Sequence, residues 1–204
     1  MAECHFYLDN GGWADDREAN RRRGIDLARQ ALRSAPDDPV VLANAAIVLG
    51  YFGDDINAAI GLVDGSLTLN PSFAQGWASS GVLRNWFGRP DFALDHFETF
   101  LRLSPRERFS MQSAKGISLF FLRRFDEAVA EFLAVMERHP KHVLGHRFLA
   151  ACYAHMGRLD KAREVVARLR TLTPDVLDSG TRYRNPEYRE LFLSGLRLAA
   201  GETT

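Results

Sequence analysis

The sequence predicts an all-α fold: a linear array of stacked helix-turn-helix hairpins closed at its C-terminal end by a capping helix. Three observations predict it. Pro36, Pro71, Pro105, Pro140 and Pro174 recur at intervals of 35, 34, 35 and 34 residues, so five of the eight prolines mark one period. Between them a second punctuation recurs as Gly53-Asp54, Gly88-Arg89 and Gly157-Arg158, with Arg123-Arg124 at the equivalent place in the fourth unit. At a fixed offset beyond it stand Ala59, Ala93, Ala128 and Ala162, each followed four positions later by Val63, Phe97, Phe132 or Val166. A fixed period of this length means that one supersecondary unit is being repeated.

Each mark has a physical reason. Proline lacks an N–H and disfavours helix in the residue before it, so each of the five closes one hairpin. Glycine takes the left-handed conformation that ends a helix, which splits every unit into helix, short turn and helix. The alanines stand where two helices must approach closely, and the residues four positions later fall on the same helical face. A single hairpin buries too little surface to stand alone, so stability has to come from stacking neighbours into one continuous core.

Residues 1–38 read as a degenerate, truncated first repeat. Its second helix runs from about Asp16 to Ser34, whereas the stretch from Cys4 to Trp13 is short and contains Asn10-Gly11-Gly12, so its first helix is expected to be truncated or replaced by a loop. Four units follow over residues 39–176, at about 39–73, 74–108, 109–142 and 143–176. Residues 177–204 form a linker and the capping helix, which starts at Asn185-Pro186-Glu187 with proline at its first position. Tyr188, Leu191, Phe192, Leu196 and Leu198 give that helix its apolar face.

Composition narrows the function. The 204 residues are 46% hydrophobic, enough for a substantial core, and 26 basic residues balance 26 acidic ones. With no net charge there is no long-range field to attract nucleic acid or anionic lipid. The run Arg21-Arg22-Arg23 is flanked by Asp15, Asp16, Glu18 and Asp26 and reads as a solvated helix face. No window approaches the roughly 20 apolar residues of a membrane span, and the first residues lack the form of an export signal. The two cysteines, Cys4 and Cys152, are too far apart in sequence to suggest a disulfide framework or a zinc module, and a cytoplasmic location fits them.

Chemistry finds no footing. The chain has no Gly-rich phosphate loop, no Gly-x-Ser-x-Gly elbow and no His-Glu-x-x-His pair, so it is read as non-catalytic and without a cofactor. The best metal candidates are His139, His142 and His146, with His155 further along; a histidine in an inter-helix turn commonly caps a helix instead, and no metal site is assigned. Cys152 sits among Ala150, Ala151 and Tyr153 and reads as a packing residue, with His155 close enough in sequence to raise the question of reactivity. Asp37-Asp38 and Asp54-Asp55 stand at helix starts, where carboxylates favour the helix dipole.

The motifs resemble the tetratricopeptide repeat family. Trp77, Gly81, Gly88, Ala93, Phe97 and Pro105 stand at the spacings of its signature, and Leu149, Ala150, Tyr153, Gly157, Ala162 and Pro174 occupy the same frame. The resemblance implies a right-handed superhelical solenoid whose concave groove is lined by the first helix of each hairpin. It assigns to that groove Ile47, Tyr51, Gln75, Val82, Asn85, Trp86, Ser110, Ser113, Ile117, Phe120, Phe121, Arg147 and His155. Aromatic anchors fringed by Asn, Gln and Arg suit a peptide or protein segment, since apolar burial supplies affinity and polar side chains hold its backbone. Ala43, Ala78 and Ser113 stand where relatives carry the clamp for a chaperone's C-terminal carboxylate, which disfavours that ligand.

A narrower resemblance runs through Gly12-Trp13, Ile25 to Leu32, Gly53-Asp54, Asn70-Pro71, Trp77 and Gly195 to Gly201. These residues are similar to the C-terminal repeat region of bacterial class III adenylate/guanylate cyclase-like proteins and of winged-helix regulators. That resemblance implies a regulatory region of a signalling protein, with an upstream catalytic or DNA-binding domain as one partner. The alternative is self-association, a homodimer formed where the unfinished first unit exposes apolar surface.

Overall fold

The computed structural model describes residues 1–204 except 11–12, 54, 108–110, 178–179 and 203–204. Among the described residues all regular structure is helical: α1 (Ala2–Asn10), α2 (Arg17–Ser34), α3 (Pro39–Phe52), α4 (Ile56–Leu69), α5 (Ala74–Phe87), α6 (Pro90–Leu103), a 3-10 turn (Pro105–Glu107), α7 (Gln112–Phe121), α8 (Phe125–Arg138), α9 (Val143–His155), α10 (Leu159–Arg170) and α11 (Pro186–Ala200). The fold class is the expected all-α array of tetratricopeptide-type hairpins. The described chain divides into two compact units, the first made of residues 1–84 and 95–106, the second of 85–94 and 107–204.

Local chemistry sets the helix ends. Asp16, Asp38 and Asp55 cap α2, α3 and α4 with their carboxylates; Asp38 Oδ1, for example, accepts the Val40 N–H at 2.8 Å and the Val41 N–H at 3.2 Å. Gly88 and Gly157 take positive φ, 96° and 72°, and Arg123 fills the equivalent place at 58° without being glycine. Gly53 departs from this expectation, with an extended backbone at φ −87° and ψ 172°. Its need for glycine is steric, because a Cβ there would stand 2.4 Å from the Leu49 carbonyl oxygen.

In the first unit α1 packs against α2 and α3, and α3 against α4. α1, nine residues long, occupies the stretch where a truncated first helix or a loop was expected; Gly11 and Gly12 of that stretch lie outside the described residues. Phe6 meets the Tyr51 ring edge-on at 4.9 Å, and Asp9 accepts the Tyr51 hydroxyl at 2.9 Å and the Arg17 guanidinium at 3.1 Å. His5 and Asn20 pair across α1 and α2 at 2.7 Å. In the same unit Gly81 faces the fully buried Phe97, whose ring a Cβ would meet at 2.5 Å.

In the second unit α7 pairs with α8 and α9 with α10, α8 stacks on α9, and α11 lies against α9 and α10. The alanines and their partners four residues on do what the spacing requires: Ala128, Ala162, Phe132 and Val166 are all 2% exposed or less. Gly116 lets α7 approach the Phe132 ring, which a Cβ would meet at 2.8 Å.

Candidate binding face

The second unit gathers its aromatic side chains on the face formed by α7, α9 and the C-terminal end of α5. Phe120 and Phe121 come from the end of α7 and Phe148 from α9, and all three are buried. Phe120 and Phe148 meet edge-on at 5.1 Å. Asn85 locks α5 to α7, donating to the Ala114 carbonyl at 3.0 Å and accepting the Ser118 hydroxyl at 2.8 Å. The result is a firm apolar floor with main-chain groups at its edge.

A segment of the chain itself lies on this floor. Phe192 stacks on Phe148 at 4.3 Å, Tyr188 stacks on Phe121 at 5.0 Å, and Tyr183 stands edge-on to Phe121 at 4.9 Å. The main chain is held as well. Arg184 donates its N–H to the Trp86 carbonyl at 2.7 Å, and Arg147 donates to the carbonyls of Asp175 at 2.5 Å and Val176 at 3.1 Å. His155 Nε2 lies 2.7 Å from the Leu191 carbonyl, which can only accept, so this nitrogen carries the ring proton. Gly195 allows α11 to sit on α9, since a Cβ there would stand 2.8 Å from both the Ala151 Cβ and His155 Nε2.

The residues assigned to a groove from the sequence therefore fall into three groups. Trp86, Phe120, Phe121, Arg147 and His155 surround the segment just described, and Asn85 braces the floor beneath it. Ile47 and Ile117 are buried, and Tyr51 is half-buried against α1. Gln75 is exposed, Val82 and Ser113 are half-buried, and Ser110 lies outside the described residues. The sequence reading missed Phe148 and Tyr183 and took Tyr188 and Phe192 only as the face of a cap. The available signal was Tyr183, a large aromatic residue in an otherwise polar linker, and it is 1% exposed.

The titratable groups have structural roles. His142 caps α9, its Nδ1 accepting the Gly145 N–H at 2.9 Å, while burial and the neighbouring His139 and His146 hold its pKa below the usual histidine value. His146 is buried with Nδ1 3.0 Å from the His142 carbonyl. Cys152 is fully buried and its thiol is pushed far up by that burial, so it stays protonated. Among the described residues no group of three or more His, Cys, Asp or Glu side chains could hold a metal ion, and no helix is long and apolar enough to cross a membrane.

Comparison with known proteins fits this architecture. The tetratricopeptide repeat family matches residues 113–176, the two hairpins α7 to α10. No curated protein matches the chain. Among solved structures, YrrB, a tetratricopeptide repeat protein with an unusual peptide-binding site, superposes with a TM-score of 0.56 at 23% identity, over 85% of this chain and 91% of its own. MamA from Desulfovibrio magneticus RS-1, residues 41 to the end, gives 0.60 at 16% identity over 84% and 94%. A further MamA crystal structure gives 0.57 at 15% identity over 86% and 94%. At these identities the likeness is one of fold, and the fold is that of tetratricopeptide repeat proteins.

Proposed function

We propose that the chain is a non-catalytic protein-interaction scaffold that holds a polypeptide segment on the first-helix face of its second unit. The observation that carries this reading is the chain's own segment on that face, held by aromatic burial and by hydrogen bonds to its backbone. A surface that grips main-chain carbonyls and N–H groups between apolar contacts recognises polypeptide as such, and its aromatic floor selects the side chains. The peptide-binding site for which YrrB is described lies on the same fold and supports the reading. In this proposal the protein needs no cofactor or metal and works in the cytoplasm. The signalling context, as a regulatory region acting on a cyclase-like or DNA-binding domain, rests on the sequence resemblance alone. The coding sequence directly upstream tests it, since no such domain there would remove it.

The face is tested with a fluorescent peptide spanning residues 180–201, titrated against the full chain carrying Tyr188→Ala and Phe192→Ala, which loosen the resident segment. Binding by anisotropy is expected, at least tenfold tighter than to the unaltered chain, whose own segment competes. The peptide carrying the same two substitutions must fail to bind. Should the altered chain be poorly folded alone, the peptide is expected to restore its helical circular dichroism. Neither binding nor restoration would overturn the reading.

A further inference from the structure

We propose that the cleft between α1, α2 and α3 is a binding site for a small organic amine, an ammonium group carried on a hydrocarbon body. The cleft lies wholly in the first unit, so the inference goes beyond the polypeptide-binding reading of the second unit and does not depend on it.

The cleft follows from a mismatch of helix lengths. α1 has nine residues and α2 eighteen, about 14 Å against about 27 Å at 1.5 Å per residue. The two run antiparallel, with Asp9 bonded to Arg17 and His5 to Asn20. The C-terminal turns of α2 therefore run on past the start of α1. There a cleft of about 400 Å³ lies between them and α3, a volume that suits a small molecule. Leu27 and Ala31 of α2 and Val41 of α3 form its walls, and Ala28 and Ala45, 0% and 2% exposed, form its floor. The space exists because the floor positions carry methyl groups where longer side chains would fill it.

The polar groups of the cleft decide what it takes. Each helix contributes one: Glu3 from α1, Gln30 from α2 and Asn44 from α3. Among the described residues none of the three spends its side chain on a hydrogen bond or an ion pair. The Ser34 hydroxyl, a fourth polar group on the lining, is already given to the Gln30 carbonyl at 3.1 Å.

Among the described side chains that line the cleft, Glu3 alone is ionisable. It is half-buried, and burial raises its pKa above the ordinary carboxylate value although the Met1 amino group pulls the other way. A charge drawn out of water without a partner is costly, and a cation delivered beside it relieves that cost. An ammonium group has three donors and no acceptor, and the Glu3 carboxylate with the amide oxygens of Gln30 and Asn44 supplies three acceptors. An anionic ligand would meet the like charge of Glu3, and a purely apolar one would cover these groups without pairing them. The lining thus favours the amine over both.

The test titrates octylamine into the full chain by calorimetry and follows the amide chemical shifts. Saturable binding of one octylamine per chain is expected, with the shifted amides in α1, the C-terminal half of α2 and the first half of α3. Amides of α9 and α11 are expected to stay in place. Octanol, the same body without the charge, is expected to bind about tenfold more weakly. Glu3→Gln should weaken octylamine by about tenfold and leave octanol unchanged. Ala31→Leu, which fills the cleft with carbon, should abolish binding of both. Circular dichroism checks that each variant keeps its helices, and the shift map of the unaltered chain locates the site independently of either variant. Absence of saturable binding, shifted amides outside α1, α2 and α3, or equal affinity of octylamine for the unaltered and Glu3→Gln chains would overturn the proposal. Equal binding of octylamine and octanol would overturn it too, since the cleft would then select on apolar burial alone.

Discussion

Gly61 and Gly116 both lie inside helices, α4 and α7, but their surroundings set opposite consequences for adding one methyl group. A Cβ on Gly61 meets nothing within 4 Å, so Gly61→Ala in α4 gains helix propensity and stabilises the chain by about 0.5–1 kcal/mol. A Cβ on Gly116 would stand 2.8 Å from the ring of Phe132, which is fully buried and has nowhere to retreat. The same substitution there is expected to cost about 1–2 kcal/mol, overpacking outweighing propensity. Urea titration of the two variants checks the sign of each. Histidine supplies the pH dependence at this scale. Burial, helped by Arg84 and opposed by Asp64 and Asp95, lowers the pKa of His96 to about 4, and its Nδ1 is buried with no hydrogen-bond partner among the described residues. His142 shifts in the same direction, chiefly through burial. A histidine pKa depressed in the folded chain means that its contribution is complete above the ordinary value, about 6.5, and is lost as pH falls toward the folded value. Stability is therefore expected to decline between about pH 6.5 and 4. The half-open site of His96 screens much of the shift, leaving its share at about 1 kcal/mol. His96→Phe should flatten that part of the profile, and an unchanged slope would show that other groups produce it.

At the scale of elements, α11 shows what one-dimensional patterning can and cannot reveal. Its start was legible because capping is local: Asn185 and Pro186 together specify where the helix begins, and Asn185→Ala is expected to cost about 1 kcal/mol. Its apolar stripe was legible as well. What the stripe covers was not, because the surface opposite it is assembled from α5, α7 and α9, and spacing within one helix carries no record of another. Tyr183 shows the same limit, since a residue outside any helix has no periodicity to betray its burial. Phe192, completely buried against Phe148, is the larger test of the contact. Truncation to alanine should cost about 3–5 kcal/mol, whereas Leu198→Ala at the exposed end of the stripe should stay within about 0.5 kcal/mol. Equal losses at the two positions would mean that α11 contributes its mere presence rather than this contact.

For the molecule as a whole, the proline period carried the hairpin architecture because each repeat has to solve the same packing problem with the same punctuation. The division into two compact units left no comparable trace: its boundary runs through α5 and α6, where the repeat pattern continues without a break. A repeat array gains its stability from neighbour upon neighbour, so a local defect spreads first to the elements that share its contacts. Phe192→Ala removes contacts to α7 and α9 in the second unit, while the first unit keeps its own core of Ala28, Ala45, Val48 and Phe52. Native-state hydrogen exchange should therefore show amides of α7, α9 and α11 opening faster by two to three orders of magnitude, at about 1.4 kcal/mol per factor of ten. Amides of α2 and α3 should keep their protection. A uniform loss across all helices would mean that the chain unfolds as one cooperative body, whereas a loss confined to α11 would mean that the face retains its structure when the segment leaves.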